Sequence, residues 1–412
     1  MRLSILALCG VVLLQAKQAP TPTFKSNTEL VEVDAVVLDK SGNFVPGLKP
    51  ENITLYENGK PQQIQQFFMV THDLGAEDGA IRSQYADQAD AGAHRLFVLM
   101  FDEPHLANDS LMRVKEGAAG FVREMFTAGD AGGVFLNGGM YKGRLTIDKA
   151  ELLSGIRAVQ PAFENRQALL APFRQWPRID DEVQAAKVAD GALEVTARLG
   201  QRACQEDPSS CQGEGGLGAI ENMIQQKARL YVRSARIMAD QTLQSLERVA
   251  NGLARIPGRK TVVLMTEGFF VEDSRTQLEM LAARAARSGI TIYSIDGRGL
   301  INGMSVNPDV TVMDRARVTT FDTGDDGPTI LTEGTGGFMV RNIDDAKRAF
   351  GLIVRDTSTY YIIGYQPDNA TMDGKVRKIE LKTNVPGARV RARKSYAATK
   401  LPPQEAIWGF SK

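Results

Sequence analysis

The sequence predicts an α/β protein: a Rossmann-like, doubly wound, mostly parallel sheet with an accessory antiparallel β-sandwich formed by the N- and C-terminal segments. Three observations predict it. Two apolar runs, LFVLMF at 96–101 and VVLM at 262–265, have no polar break, the pattern of strands covered by helices on both faces. Around them, stretches of helical spacing alternate with strand-like ones, which implies right-handed crossovers between parallel strands. The two ends of the chain instead alternate apolar and polar positions between turn residues, the pattern of antiparallel β structure.

Residues 1–16, MRLSILALCGVVLLQA, place Arg2 before an apolar stretch from Leu3 to Leu14 and a small residue, Ala16. The stretch is shorter than the roughly 20 residues needed to span a bilayer, so it predicts a signal peptide removed on export. The mature protein is then expected to begin at Lys17, to be periplasmic or extracellular, and to have no stable membrane span. Leu8 is too bulky to precede a lipidated cysteine, so Cys9 is assigned to the signal. Cys204 and Cys211 remain, seven positions apart in a polar loop, and an oxidising compartment predicts a disulfide between them.

Residues 27–72 form the N-terminal β segment: VEVDAVVL is a strand, SGN a turn, ITLYENGKPQQI a strand with an Asn-Gly turn, and QQFFMV a strand. A polar link rich in Ala, Gly and Asp follows. The α/β domain is expected over 94–352. It opens on the strand at Leu96 and continues with a helix from DSLMRVKEGAAGFVREMF, capped by Asn108 or Asp109. The strand GGVFL and the helix KAELLSGIRAV follow. An insertion over about 160–225 is polar and helical, and a long helix runs from Ile220 to Pro257. After the second buried strand come the helix TQLEMLAARAARSG, the strand ITIYSID, the short strand GGFMV and the helix DDAKRAFGLIVRDTS. The C-terminal β segment, 356–398, reads as about three strands divided at Pro367 and Pro386. Three strands are marginal alone, so the two end segments are expected to pack as one sandwich.

The chain has 412 residues, and its 49 basic and 49 acidic residues cancel without forming blocks, which argues against a nucleic-acid partner. The chemistry-bearing residues gather at strand ends. Asp102 and Glu103 close the first buried run, Thr266 and Glu267 the second, and Asp296 the strand from Ile290. The carboxyl ends of strands in an open α/β sheet form its ligand crevice, so Asp102, Pro104, His105, Thr266, Glu267 and Asp296 are the candidate binding edge. A lone histidine beside acids reads as a polar loop residue rather than a transition-metal ligand. There is no Gly-x-Ser-x-Gly elbow, His-Glu-x-x-His helix or phosphate-cradling loop. Carboxylate chemistry by Asp102, Glu267 or Asp296 is the enzymatic alternative that remains.

Taken in order, VEVDAVVLDKSGNFVPGLKPENITLYENGKPQQI, LFVLMFDE, LARIPGRKTVVLMTEGFF, ARSGITIYSIDGRGL and GGFMVRNIDDAKRAFGLIVRDTSTYYIIGYQP resemble the von Willebrand factor type A domain, in particular a bacterial exported family related to it. KVRKIELKTNVPGARVRARKSY extends the resemblance, which covers most of the chain outside the signal and the insertion. It implies a binding rather than catalytic role, with a protein or surface polymer as partner, and often a metal-ion-dependent adhesion site. That site uses an aspartate, two serines, a threonine from a second loop and a second aspartate around Mg²⁺, which requires octahedral oxygen ligands. Asp102 matches the first position, but Pro104 and Leu106 stand where the serines belong, the QPAFENRQ loop has no threonine, and Glu267 replaces the second aspartate. The expectation is a degenerate, metal-free site with no cofactor, in which Asp102 accepts backbone N–H bonds from its loop. The alternative is a weak Mg²⁺ or Ca²⁺ site made by Asp102, Glu103 and Glu267. A carboxylate-dependent envelope hydrolase and a structural envelope component are the rival functions.

Overall fold

The computed structural model describes residues 30–403 except 73–80, 84–94, 164, 166–167, 170, 181, 214, 270–273, 300–325 and 342–344. The signal-peptide assignment and the expected start at Lys17 lie outside the described residues. The chain opens with β1 (Val31–Leu38), β2 (Ile53–Glu57), β3 (Lys60–Gln62), β4 (Ile64–His72) and β5 (Ile81–Ser83). The last of these lies in the stretch read as a polar link; it pairs antiparallel with β4. The α/β part follows as β6 (Arg95–Phe101), α1 (Asn108–Glu124), β7 (Asp130–Leu136), β8 (Gly139–Met140) and α2 (Lys149–Ala158). Then come α3 (Glu182–Ala189), α4 (Leu193–Glu206), α5 (Gly216–Leu253), β9 (Lys260–Thr266), α6 (Arg275–Arg287) and β10 (Ile290–Asp296). It continues through α7 (Asp326–Thr335), β11 (Met339–Val340) and α8 (Ala346–Ser358), and the chain returns to β structure in β12 (Thr359–Tyr365), β13 (Val376–Thr383), β14 (Arg389–Ala392) and β15 (Ser395–Ala397).

The central sheet has the order β11-β10-β9-β6-β7-β8 and is parallel except for β8, which pairs antiparallel with β7. Every residue of β6, β9 and β10 is buried. The two-residue period of the strand explains how. Phe97, Leu99 and Phe101 join Leu111, Val114, Phe121 and Phe350 in one apolar layer, while Leu96, Val98 and Met100 join Leu243, Leu246, Val249 and Leu281 in the other. A strand with helices on both faces has no polar side to offer, hence the unbroken run.

Helix α5 has 38 residues, about 57 Å of rod. Its C-terminal half covers the sheet through Ala239, Leu243, Leu246 and Val249. Its N-terminal half carries Ile220, Ile224, Ala228 and Tyr231, which pack with Ala185, Val188, Leu199 and Ala203 of α3 and α4. The insertion is therefore a helical layer with its own apolar core, built on an extension of the sheet's covering helix. Cys204 and Cys211 are joined by a disulfide, with Cα atoms 5.6 Å apart, at the turn between α4 and α5. Cross-linking so short a loop restricts the unfolded chain by about 2.5 kcal/mol, so Cys204→Ser with Cys211→Ser is expected to lower stability by about that amount in denaturant titrations. An unchanged midpoint would mean that the helical packing alone holds the turn.

Strands from both ends of the chain share two antiparallel sheets, ordered β14-β1-β12-β4-β5 and β15-β13-β2-β3. β12 lies between β1 and β4, with Val31 opposite Tyr365 and Ala35 opposite Tyr361; β13 pairs with β2, with Ile379 opposite Glu57. Val31, Val33, Ala35, Val37, Leu55, Ile363 and Ile379 form the core between the sheets. Inside it, the buried Glu57 accepts hydrogen bonds from the hydroxyls of Tyr365 (2.6 Å) and Tyr396 (2.9 Å). A polar seam joins these sheets to the α/β part: Arg259 donates to the Tyr293 hydroxyl at 2.9 Å, stacks over Tyr360 at 4.4 Å and lies 3.7 Å from Asp34. No helix among the described residues is long and apolar enough to cross a membrane.

Candidate functional site

The carboxyl ends of β6, β9 and β10 bring Asp102, Thr266, Glu267 and Asp296 to one edge of the parallel sheet. Backbone bonds tie these ends together: the Asp102 N–H donates to the Met265 carbonyl, the Glu267 N–H to His105, and the Gly297 N–H to Thr266. The edge is therefore a set of fixed strand ends. Asp102, Glu103, His105, Thr266, Glu267 and Asp296 are all buried.

Asp102 is the centre of the arrangement. The Thr242 hydroxyl donates to its Oδ1 at 2.6 Å, and the Thr266 hydroxyl donates to its Oδ2 at 2.7 Å. His105 Nδ1 lies 3.2 Å from Oδ1, 3.1 Å from Oδ2 and 3.1 Å from Thr242 Oγ1. Because the Thr242 proton is committed to Asp102, Nδ1 of His105 carries the ring hydrogen and donates it into this cluster. The partners differ from those expected. Two hydroxyls and an imidazole hold the carboxylate, in place of backbone N–H groups of its loop. His105, read from sequence as an ordinary loop residue, is a buried member of the network, and its ring lies 5.6 Å from that of Phe269.

The neighbouring residues have separate tasks. Pro104 sits in the single 3-10 turn formed by Glu103–His105. Leu106, at the second expected serine position, is completely buried in the layer with Leu111 and Val114. A hydroxyl there would face apolar core. Neither Asn108 nor Asp109 caps α1; the helix begins at Asn108 after Ala107, whose N–H donates to Glu267 Oε1 at 2.8 Å. A carboxylate from the end of β9 thus serves the N-terminus of α1, where it also complements the helix dipole. Asp296 accepts from Arg298 three times, through the backbone N–H and Nε at 2.9 Å and Nη2 at 2.7 Å.

Glu103 receives the Asn137 N–H on both carboxylate oxygens, at 3.1 and 2.9 Å, which holds the turn where Asn137 adopts a positive φ of 49°. Burial is the main influence on its acidity. It raises the Glu103 pKa to about 7, assisted by the nearby charge of Asp102 and opposed by the Asn137 hydrogen bond. A carboxyl that ionises later in the folded than in the unfolded state makes the fold lose stability as pH rises between about 4.5 and 7. Glu103→Gln is expected to remove this decline, for a relative gain on the order of 1–3 kcal/mol at pH 8. Melting curves of both proteins across that range check it; parallel curves would mean that Glu103 titrates normally.

The side chains expected to form a Mg²⁺ or Ca²⁺ site hold protein partners. Each of the four edge carboxylates is turned to a protein donor, and an imidazole nitrogen occupies the approach to both oxygens of Asp102. Among the described residues no group of three His, Cys, Asp or Glu side chains is arranged to hold a metal ion. Thr242 was not legible as a site residue, although one signal was present: it interrupts the apolar stripe of Ala239, Leu243 and Leu246 on a buried helix face. A hydroxyl in that position needs a partner. No family model matches this chain, and no curated protein matches it.

Proposed function

We propose that this chain is an exported von Willebrand factor type A-like protein that binds a protein or cell-envelope polymer at the carboxyl edge of its parallel sheet, without a metal ion. One observation carries the reading. Asp102, in the position that would anchor a cation, is instead closed into a buried network with Thr242, Thr266 and His105. The same commitment of Glu103, Glu267 and Asp296 to loop and helix donors disfavours the carboxylate hydrolase, which needs an acid and a base free to meet substrate. The long helix α5 links this buried edge to the insertion, because Thr242 and the insertion's core residues belong to the same helix, and the insertion supplies the exposed part of the proposed recognition surface.

Melting the protein with millimolar Mg²⁺ and with EDTA tests the metal-free part. A bound cation at a hundredfold excess over its Kd would add about 2.7 kcal/mol, and the expected result is no shift. The binding part is tested by affinity capture from envelope extract in EDTA, with a broad hydrolase screen run alongside. One partner retained under EDTA supports the reading. Turnover in the screen with nothing captured would favour the hydrolase.

A further inference from the structure

A cavity of about 580 Å³ opens where the α/β part meets the antiparallel sheets, lined by α7 and β11 on one side and by β13 and β14 on the other. Among the described residues both β11 and β14 are the last strands of their sheets. Such edges carry unmade backbone bonds, and an extended segment entering between them can complete a ladder. On β11 the available residue is identifiable. The Phe338 carbonyl accepts from Ser294 of β10 at 3.1 Å, and Met339 is in register with Ser294, so the N–H and C=O of Met339 point away from β10.

The charges of the lining favour an anion. Arg341, Arg391, Arg393 and Lys394 outnumber Glu333 and Glu380. Lys394 pairs with Glu333, and Arg391 pairs with Asp356 while stacking over Phe338 at 4.8 Å. Arg393 is nine-tenths buried and donates Nη1 and Nη2 to the carbonyls of Ala286 and Glu32. The Nε groups of Arg391 and Arg393 are buried without a hydrogen-bond partner among the described residues. These two atoms are enclosed, so the cationic face of the cleft is that of Arg341 and of the partly exposed Arg391 guanidinium, with Lys394 beside them. Phe338, Leu381 and Val390 supply apolar surface next to them.

We propose that this cleft recognises an extended acidic peptide segment of a partner protein, which pairs with the β11 edge at Met339, sets a carboxylate against Arg341 and Arg391, and lays its alternate apolar side chains on Phe338 and Leu381. The cleft is three strands from Asp102, about 14 Å at the usual strand spacing, so the proposal is independent of the carboxyl-edge reading.

Fluorescence anisotropy with a labelled hexapeptide alternating valine and glutamate tests it on the whole protein. The expected result is saturable binding that weakens with salt. Arg341→Glu with Lys394→Glu, at the mouth of the cleft, should reduce affinity at least about tenfold while leaving the melting temperature within the range of the parent. The peptide with lysine for glutamate should fail to bind, and so should the acidic peptide N-methylated at its valines, which cannot pair as a strand. Equal binding to the double variant, equal binding of the methylated peptide, or no binding at millimolar peptide would each overturn the proposal. Competition by millimolar inorganic phosphate as effective as that by unlabelled peptide would also overturn it, by reducing the site to a small-anion pocket.

Discussion

Deleting the residues after Asp356 is expected to destroy the soluble, cooperative fold. β12 is the strand between β1 and β4, and β13 is the strand between β2 and β15, so the truncation removes an interior strand from each antiparallel sheet. Val31, Val33, Ala35 and Val37, all completely buried, lose the cover of Tyr361, Ile363 and Tyr365, and Phe68 loses its neighbour Ile362. At about 1.5–3 kcal/mol for each large side chain, the loss is on the order of 10 kcal/mol, comparable with the whole net stability of a domain. The exposed strands also present a long apolar edge, which promotes aggregation. Solubility, gel filtration and amide exchange of β1 and β4 measure the outcome. A soluble truncation with protected amides in β1 would mean that the N-terminal strands stand without their C-terminal partners.

Asp102→Ala is expected to cost about 3–5 kcal/mol. The substitution leaves the hydroxyls of Thr242 and Thr266 and the Nδ1–H of His105 buried with no carboxylate to receive them, and each stranded donor costs roughly 1–3 kcal/mol before any relaxation. Asp102→Asn keeps an acceptor oxygen and should cost less. Thr242→Val removes one donor while preserving shape, and should cost about 1 kcal/mol. Because the two residues share a hydrogen bond, the double variant Asp102→Ala with Thr242→Val should be less damaged than the sum of the singles, by about 1 kcal/mol or more. These losses should be the same with Mg²⁺ and with EDTA. Strict additivity, or a penalty seen only when Mg²⁺ is present, would sink the network as the reason for Asp102.

What the sequence disclosed of this fold was what depends on local pattern. The unbroken apolar run at 96–101 marked a strand covered on both faces because side chains alternate sides and both sides are buried. The alternation at Val31, Val33 and Val37 marked a half-buried strand for the same reason. Asp102, Thr266 and Asp296 could be placed at one edge because parallel strands end together. Their partners were hidden, since Thr242 is 140 residues from Asp102 and Glu267 is 160 residues from Ala107, and no local spacing encodes those meetings. For the same reason the contact at the start of α1 is made by Glu267 with the N–H of Ala107, and neither Asn108 nor Asp109 caps the helix. β5 was missed because three residues, Ile-Arg-Ser, in a polar stretch carry no period of their own; only the edge of β4 makes them a strand.

Helix α5 has a mechanical consequence. It is one continuous rod clamped to the sheet from Ala239 to Leu253 and gripped by α3 and α4 from Ile220 to Ala235, so Thr242 lies inside the clamped part, about one turn from where the rod leaves the sheet. A tilt of about 5° about Ala239 moves the tip at Gly216 by about 3 Å, while Thr242, inside the clamp, keeps its hydrogen bond to Asp102. The helix is a lever with its fulcrum at the sheet. A push on the insertion is borne by the roughly four turns that rest on the sheet, and the bond between Thr242 and Asp102 sits at the first of them to take the load.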